Sequence, residues 1–460
     1  MDFIIKDRKL NDAVNKVCQL VNTAGGRAFL IGGCVRDFVL NMHSKDIDIE
    51  VYNLAPQKLI EILSEHFKID LVGQSFGVIK IHDVDIDISI PRRESKSGLG
   101  HKGFEISSDP NMSPKEAASR RDFTINTIAY DFINKVIIDP FDGMEHLNKR
   151  ILKHTTEKFL EDPLRVLRGM QFAARFDLNV APETAKLCSK IKPEGLASER
   201  IFEEWKKLIL HGIKPSKGLS FLRDCGWIDY FPELKSLIDC KQDLKCHPEG
   251  DVWEHTLHSM DAFAEERIGD AVEDLIVGFA VLCHDFGKPQ TTIFQDSKIC
   301  TQSYEAAGVE PTKCFIEHMT NRNDIVDAVI PLVESYMSPV ELFNEQASDN
   351  AIRRLAKKVK RIDRLVRVSR ADQLGRFPTK QKNFPAGDWL IDRACTLNVE
   401  MSAPDHIIMG RHLIELGLKP GIHFNEILQT CYDAQIDGEF FTLEDAKKYV
   451  ITYLQKRNIS

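Results

Sequence analysis

The first 140 residues alternate helical patterns with short β-branched runs: AFLI at 28–31, DIDIEVY at 46–52, FGVIKI at 76–81 and VDIDISI at 84–90. Runs of this kind predict strands, and their alternation with helical patterns predicts an α/β head. Past residue 150 or so the strand signals fade. Long helical patterns follow, punctuated by Pro182, Pro193, Pro215, Pro232, Pro248, Pro289 and Pro311. The expected class is α+β: a head with a small mixed β-sheet, then an all-helical remainder. The stretch Arg92 to Gly103, RRESKSGLGHKG, is rich in Gly, Ser and basic residues and reads as a mobile loop.

Length adds a prior of three units for 460 residues, at about 150 per domain. Hydrophobic residues make up 43% and charged residues 28%, which argues against disorder or a fibrous chain. No apolar run reaches the roughly 18 to 20 residues of a membrane span. The opening MDFIIKDRKLND lacks a basic segment followed by a long apolar one, so secretion is not expected. Eleven scattered cysteines then read as reduced thiols in a cytosol. Lys and Arg number 61 against 69 Asp and Glu, a net charge of −8. That balance speaks against a simple basic nucleic-acid binder.

Candidate chemistry begins at Gly32 and Gly33, a Gly-Gly turn between a strand and a helix start. Glycines let backbone N–H groups approach a phosphate, and Arg36 adds a cation one turn on. Alone, such turns serve packing more often. The next strand shifts the balance. Side chains alternate along a strand, so Asp46, Asp48 and Glu50 share one face and Ile47, Ile49 and Val51 the other. Same-side carboxylates repel, and a hard cation such as Mg²⁺ relieves the repulsion. Mg²⁺ in turn holds nucleotide phosphates and activates a hydroxyl. Asp83, Asp85 and Asp87 are expected on one face of the following strand. Asp87 is either a third metal carboxylate or part of an exposed edge.

The run Arg120-Arg121-Asp122-Phe123-Thr124-Ile125-Asn126 offers cations for a triphosphate, and a carboxylate and amide for ribose hydroxyls. Asp139-Pro140-Phe141-Asp142-Gly143 reads as a structural turn closing the head. EDPLRVLRGMQFAARF reads as a helix, with Asp162 as N-cap and Pro163 in first position. Asp162, Arg165 and Arg168 recur every three residues and lie near one face; by itself that is a cap and an ion pair.

Taken in order, IGGCVRD, DIDIE, RRDFTIN, DPFDG and EDPLRVLR resemble the motifs of class II CCA tRNA nucleotidyltransferases, a family that includes bacterial poly(A) polymerases. The resemblance runs from residue 28 to about 235 and resumes in a histidine-containing half similar to that of HD-bearing bacterial members. It implies that Asp46 and Asp48 are the catalytic metal carboxylates. Gly32, Gly33, Arg36, Arg121 and Arg168 match positions that hold the incoming nucleotide, and Asp122 one near the ribose. Arg92 and Glu94 match the start of a mobile loop. Gln171 stands where many members carry an arginine. Asp162 and Arg165 match the family's protein template. Cytosine and adenine present an amino donor beside a ring-nitrogen acceptor, which a carboxylate and a guanidinium complement; uracil and guanine do not. The implied reaction is Mg²⁺-dependent addition of C and A to the tRNA 3′ end from CTP and ATP, with release of pyrophosphate. The implied organisation is a head over 1–148, a helical neck and body over 149–240, an HD-like region over 241–376 and a tail over 377–460.

In the second half, His255, His284-Asp285 and Asp372 follow the order of HD metal-dependent phosphohydrolases. His and Asp on neighbouring helices can share a divalent ion with water as nucleophile. The three-histidine cluster of many HD-bearing members is replaced by Thr301-Gln302-Ser303-Tyr304-Glu305, which leaves a mononuclear site. An active phosphohydrolase and a helical scaffold that helps hold tRNA both stand. The stretch Arg353 to Arg370, RRLAKKVKRIDRLVRVSR, holds nine Lys/Arg and one Asp. Leu355, Val359, Ile362, Val366 and Ser369 form its apolar stripe. Arg353, Arg354, Lys357, Lys358, Arg361 and Arg364 are expected either to meet tRNA phosphates or to line a solvated helix. Rival functions are a poly(A) polymerase, an enzyme adding only CC or A, an HD phosphohydrolase and a non-catalytic RNA binder. The short, mixed C-terminal stretch FTLEDAKKYVITYLQKRNIS disfavours the first, and Asp46 with Asp48 the last two.

Overall fold

The computed structural model describes residues 3–42, 46–72, 77–96, 104–245, 247–295, 298–301, 303–377 and 383–457. The backbone forms two compact units, Met1–Tyr230 and Phe231–Ser460.

The first unit opens with α1 (Arg8–Thr23), capped by the Asp7 side chain on the Leu10 N–H. Its buried stripe, Val14, Val17, Cys18 and Val21, follows the helical period. A seven-stranded sheet follows: β1 (Arg27–Ile31), β2 (Ile47–Tyr52), β3 (Ile69–Val72), β4 (Val78–Ile81), β5 (Ile86–Ser89), β8 (Ala129–Asp131) and β9 (Val136–Ile138). Their order is β3-β4-β5-β2-β1-β8-β9. β2 and β5 run parallel, and the other neighbours antiparallel, so the sheet is mixed as expected. Ile47, Ile49 and Val51 of β2 are buried while Asp48 is exposed. The register sets Asp48 beside Ile31 of β1 on one side and Asp87 of β5 on the other.

Two expectations change here. β5 begins only at Ile86, and Asp83 sits in a turn with φ 65°. Asp83, Asp85 and Asp87 therefore do not form one acidic strand face. The segment expected to be a loop from Arg92 contains a ladder: β6 (Arg92–Lys96) pairs antiparallel with β7 (Phe104–Ser108). Residues 97–103 and the Glu94 side chain lie outside the described part.

Helices complete the unit: α2 (Gly33–Val39), α3 (Pro56–Ser64), α4 (Pro114–Ala118), α5 (Gly143–Asn148), α6 (Leu164–Arg175), α7 (Pro182–Cys188), α8 (Ser198–His211) and α9 (Pro215–Asp224). α6 starts one residue later than expected, with Pro163 at its N-cap. Asp162 still caps it, accepting the Leu164 N–H at 3.0 Å. α9 packs tightly on α6: a Cβ at Gly218 would lie 2.5 Å from the Met170 carbonyl oxygen.

The second unit is mostly helical. The helices Val252–Glu265, Ala271–Cys283 and Ile362–Gly375 pack together. The all-helical expectation needs correction, because Thr292–Gln295 and Lys298–Thr301 form an antiparallel hairpin. In the first unit, Ile151–Leu152 also pairs with Asn179–Val180. No described helix is long and apolar enough to cross a membrane.

The basic stretch is not one helix. Asp349–Val359 and Ile362–Gly375 are separate, broken at Lys360 with φ 62°. Nor is it one open cationic face. Arg354 meets Asp437 at 2.7 Å, Lys357 meets Asp433, and Lys358 lies 3.4 Å from Glu334. Arg361 meets Asp363 at 2.7 Å, and Arg364 meets Glu273 at 2.6 Å. Arg353 donates to Asn350 and lies over the Phe441 ring. These partners are far away in sequence or outnumbered within the run, so the local charge pattern hides them.

Candidate active site

The head site is built around the end of β1. Gly32, at φ 73° and ψ −134°, occupies a region open to glycine alone and turns the chain into α2. A Cβ there would meet the Arg121 Nη1 at 3.6 Å and the Asp48 Oδ2 at 3.7 Å. The turn thus brings the glycine pair, the β2 carboxylate and the RRDFTIN arginine to one place.

Asp46 stands just before β2 and Asp48 on its exposed face. Partial burial and the neighbouring Asp87 charge push the Asp48 pKa up, while Arg121 opposes them. Oxygen donors crowded in this way fit a hard divalent ion. Asp87 also meets Lys80, 3.1 Å away on the neighbouring strand. Glu50 differs from its two neighbours. It is 1% exposed and accepts a hydrogen bond from the Tyr52 hydroxyl at 2.5 Å. It also faces Arg120 at 3.6 Å and Arg121 at 3.8 Å.

A cleft of about 430 Å³ extends from this turn, lined by Gly32, Gly33, Arg36, Arg120, Arg121, Asp122, Asn126, Asp162, Leu164, Arg165, Arg168, Phe172 and Arg200. All the residues expected at the nucleotide meet here. Their hydrogen bonds refine the expected roles. Arg36 is buried, donates to Asp37 and to the Asn126 side chain, and lies over the Phe176 ring. These contacts fix Arg36 in the cleft wall. Asp122 accepts from the Phe123 N–H, the Asn126 amide and both Nε and Nη2 of Arg168, the last two at 2.7 Å. Burial alone would raise the Asp122 pKa, but Arg168 and these hydrogen bonds outweigh it and hold the carboxyl below its usual range. Asp122 lines the cleft and also orders it, by holding Arg168 and Asn126 in place.

Asp162 and Arg165 do not pair with each other. Arg165 donates to the carbonyls of Lys158 and Arg120, both at 2.7 Å. Asp162 accepts from Arg200 at 3.2 Å. Arg200 comes from α8, and no local pattern marks it in the sequence. Gln171 is 2% exposed and does not line the cleft. The DPFDG turn acts as a support: Asp139 accepts from the N–H groups of Gly143 and Met144, at 2.7 and 2.8 Å.

In the second unit His255, His284, Asp285 and Asp372 converge as expected. His255 Nε2 lies 2.9 Å from Asp372 Oδ1, and His284 Nε2 3.4 Å from Asp285 Oδ2 and 3.7 Å from Asp372 Oδ1. Ligands about 2.1 Å from one ion sit about 3 Å apart, so the set fits a divalent metal. The His284 Nε2 is buried without a hydrogen-bond partner, and its Nδ1 is held by the Val281 carbonyl. His247 and Glu249, which the sequence reading passed over, extend the cluster: Glu249 bridges the two imidazoles of His247 and His255. Lys288 and Tyr336 each bond Asp285 at 2.7 Å. Burial alone would raise Asp285, yet His284 and Lys288 keep it ionised.

A glycine turn and paired strand carboxylates beside an arginine-lined cleft define a nucleotidyltransferase head. Residues 28–153 match the poly(A) polymerase head domain, and residues 177–238 the probable RNA and SrmB-binding site of polymerase A. The multifunctional CCA protein of Xylella fastidiosa (strain 9a5c) is 31% identical over 378 residues, 79% of this chain and 88% of that one. The multifunctional CCA protein of Xanthomonas campestris pv. campestris (strain B100) is 32% identical over 375 residues, 78% of this chain and 88% of its own. A crystal structure of the Bacillus stearothermophilus CCA-adding enzyme in complex with CTP covers 98% of this chain and 99% of its own, at 21% identity and a TM-score of 0.66. The Thermotoga maritima CCA-adding enzyme complexed with tRNA covers 97% and 96%, at 18% identity and a TM-score of 0.58. The two solved structures establish the fold. The chain belongs to the class II CCA-adding enzymes of the poly(A) polymerase superfamily. It is a nucleotidyltransferase, and enzymes of this type use a divalent metal.

Proposed function

We propose that this chain completes and repairs the 3′-CCA end of tRNA from CTP and ATP, with Mg²⁺ held by Asp46 and Asp48. What supports the reading is one cleft in which a glycine turn, Arg121 and Arg168 meet Asp162 and Arg165, beside a strand carboxylate under repulsion. When bound, Mg²⁺ neutralises triphosphate charge and favours the ionised hydroxyl. The chain's own residues do the rest. Arg121 and Arg168 orient the triphosphate, and the Gly32-Gly33 turn leaves room for it. The tRNA 3′-oxygen bonds the α-phosphorus, the bond to the β-phosphate oxygen breaks, pyrophosphate leaves, and the hydroxyl proton passes to water. Asp162 and Arg165 present an acceptor and a donor to the pairing edge of C or A. Such an enzyme works in the cytosol. Asp162→Ala is expected to relax base choice more than it lowers total incorporation. Equal loss with all four nucleotides would remove that role.

A second reading concerns the other unit. The convergence of His255, His284 and Asp285, with Asp372 beside them, favours a divalent ion there. Metal-dependent release of phosphate from mononucleotides or cyclic nucleotides is then expected, and its loss in His284→Ala. If the wild type releases none, the cluster is a scaffold.

A further inference from the structure

Glu50 sits on the same strand face as Asp48, two residues further along β2, but 1% exposed. It is buried against two guanidinium groups, with Arg120 Nη2 3.6 Å from Oε1 and Arg121 Nη2 3.8 Å from Oε2. The Tyr52 hydroxyl fixes Oε2. Arg121 is engaged through both of its terminal amino groups. One amino group faces Glu50. The other donates to the Asn126 carbonyl at 2.7 Å and flanks Gly32 together with Asp48 Oδ2. Arg121 Nη1 and Asp48 Oδ2 thus border the same glycine, and a guanidinium that moved onto this exposed carboxylate would compete with any cation for it.

We infer that Glu50 is a positioning residue: it holds Arg121 back from Asp48, so that the carboxylate stays available to the metal and the guanidinium to the triphosphate. The inference rests on the reading of Asp46 and Asp48 as metal ligands. Without the Glu50 charge, two adjacent arginines lose their shared counter-ion. The nearest remaining carboxylate on that strand face is Asp48, and an Arg121–Asp48 pair would then occupy the metal's oxygen. Glu50→Gln keeps the side chain's shape and an acceptor for Tyr52, and removes only the charge.

The test is Mn²⁺ binding followed by electron paramagnetic resonance, on the full chain without nucleotide or tRNA. Three variants are compared with the wild type: Glu50→Gln, Glu50→Gln with Arg121→Gln, and Asp48→Asn. His284→Ala with Asp285→Ala is built into every protein, so that the second unit does not contribute. The expectation is Asp48-dependent binding, about fivefold to tenfold weaker in Glu50→Gln. Removing Arg121 in that background should restore it, although incorporation stays low because a phosphate contact is gone. A merely structural loss would not be rescued by a second deletion. Asp48-dependent binding that Glu50→Gln leaves unchanged, or that the double variant fails to restore, overturns this inference alone. Binding indifferent to Asp48→Asn overturns the metal reading, and this inference with it.

Discussion

Asp122 carries much of the order in the nucleotide cleft, because four donors converge on one buried carboxylate. Removing its charge takes from Arg168 its nearest counter-ion; because Arg168 is a third exposed, the loss costs about 1–3 kcal/mol. Asp122→Asn is therefore expected to lower the melting temperature and to raise KM for CTP and ATP together. The pH dependence has a definite sign. The folded pKa lies below the ordinary value of about 4, so the carboxylate's contribution is complete above that pH and fades as pH falls through the folded value. The melting-temperature gap between wild type and Asp122→Asn should be full at pH 7 and shrink on acidification. A gap that widens at low pH contradicts this account. Residue by residue, the sequence shows which side chains belong to the site but not what already binds them. Asp48 is legible because strand alternation exposes it, and Asp46 because it stands exposed just before the same strand. Glu50 shares their alternation, and its burial depends on Arg120 and Arg121, some 70 residues on. Arg200 is invisible for the same reason: its bond to Asp162 exists only once α8 packs beside α6.

Among the elements, the DPFDG turn has more consequence than its exposed sequence position implies. Asp139 holds it, and Gly143 lies against the backbone of Thr124 in the RRDFTIN segment. A Cβ at Gly143 would stand 2.4 Å from the Thr124 carbonyl oxygen. Gly143→Ala should push that segment, and Arg121 and Asp122 with it. The expected cost is about 1–3 kcal/mol of stability by thermal melt, with a raised nucleotide KM. An unchanged KM would show that the turn does not support the cleft. The basic stretch gives the opposite lesson. Its apolar stripe predicts helix correctly, but Lys360 in the left-handed region splits it, and carboxylates from other helices neutralise its two halves. Arg364→Ala should cost about 1 kcal/mol of stability and leave the salt dependence of tRNA binding unchanged. A fall of about one in the salt slope would return Arg364 to the RNA surface.

At the scale of the molecule, a net charge of −8 and an RNA substrate are compatible because charge is local. Arg36, Arg120, Arg121, Arg165, Arg168 and Arg200 line one cleft, while many other cations are spent on internal pairs. The α+β class, the mixed sheet and the convergence of His255, His284, Asp285 and Asp372 follow from patterns the sequence carries openly. The β6–β7 ladder and the hairpin at Thr292–Gln295 do not, because the charged run RRESK and strands of only four or five residues lack the sustained apolar alternation that marks a strand. One head site is expected to synthesise a defined triplet without a nucleic-acid template. This is tested most directly by incubating the full chain with tRNA transcripts ending before C, after C and after CC, offering each nucleotide separately and then together. The expected result is C, then C, then A, followed by arrest, with all addition lost in Asp48→Asn. Long A tails, incorporation of U or G at comparable rates, or no incorporation by the wild type would contradict it.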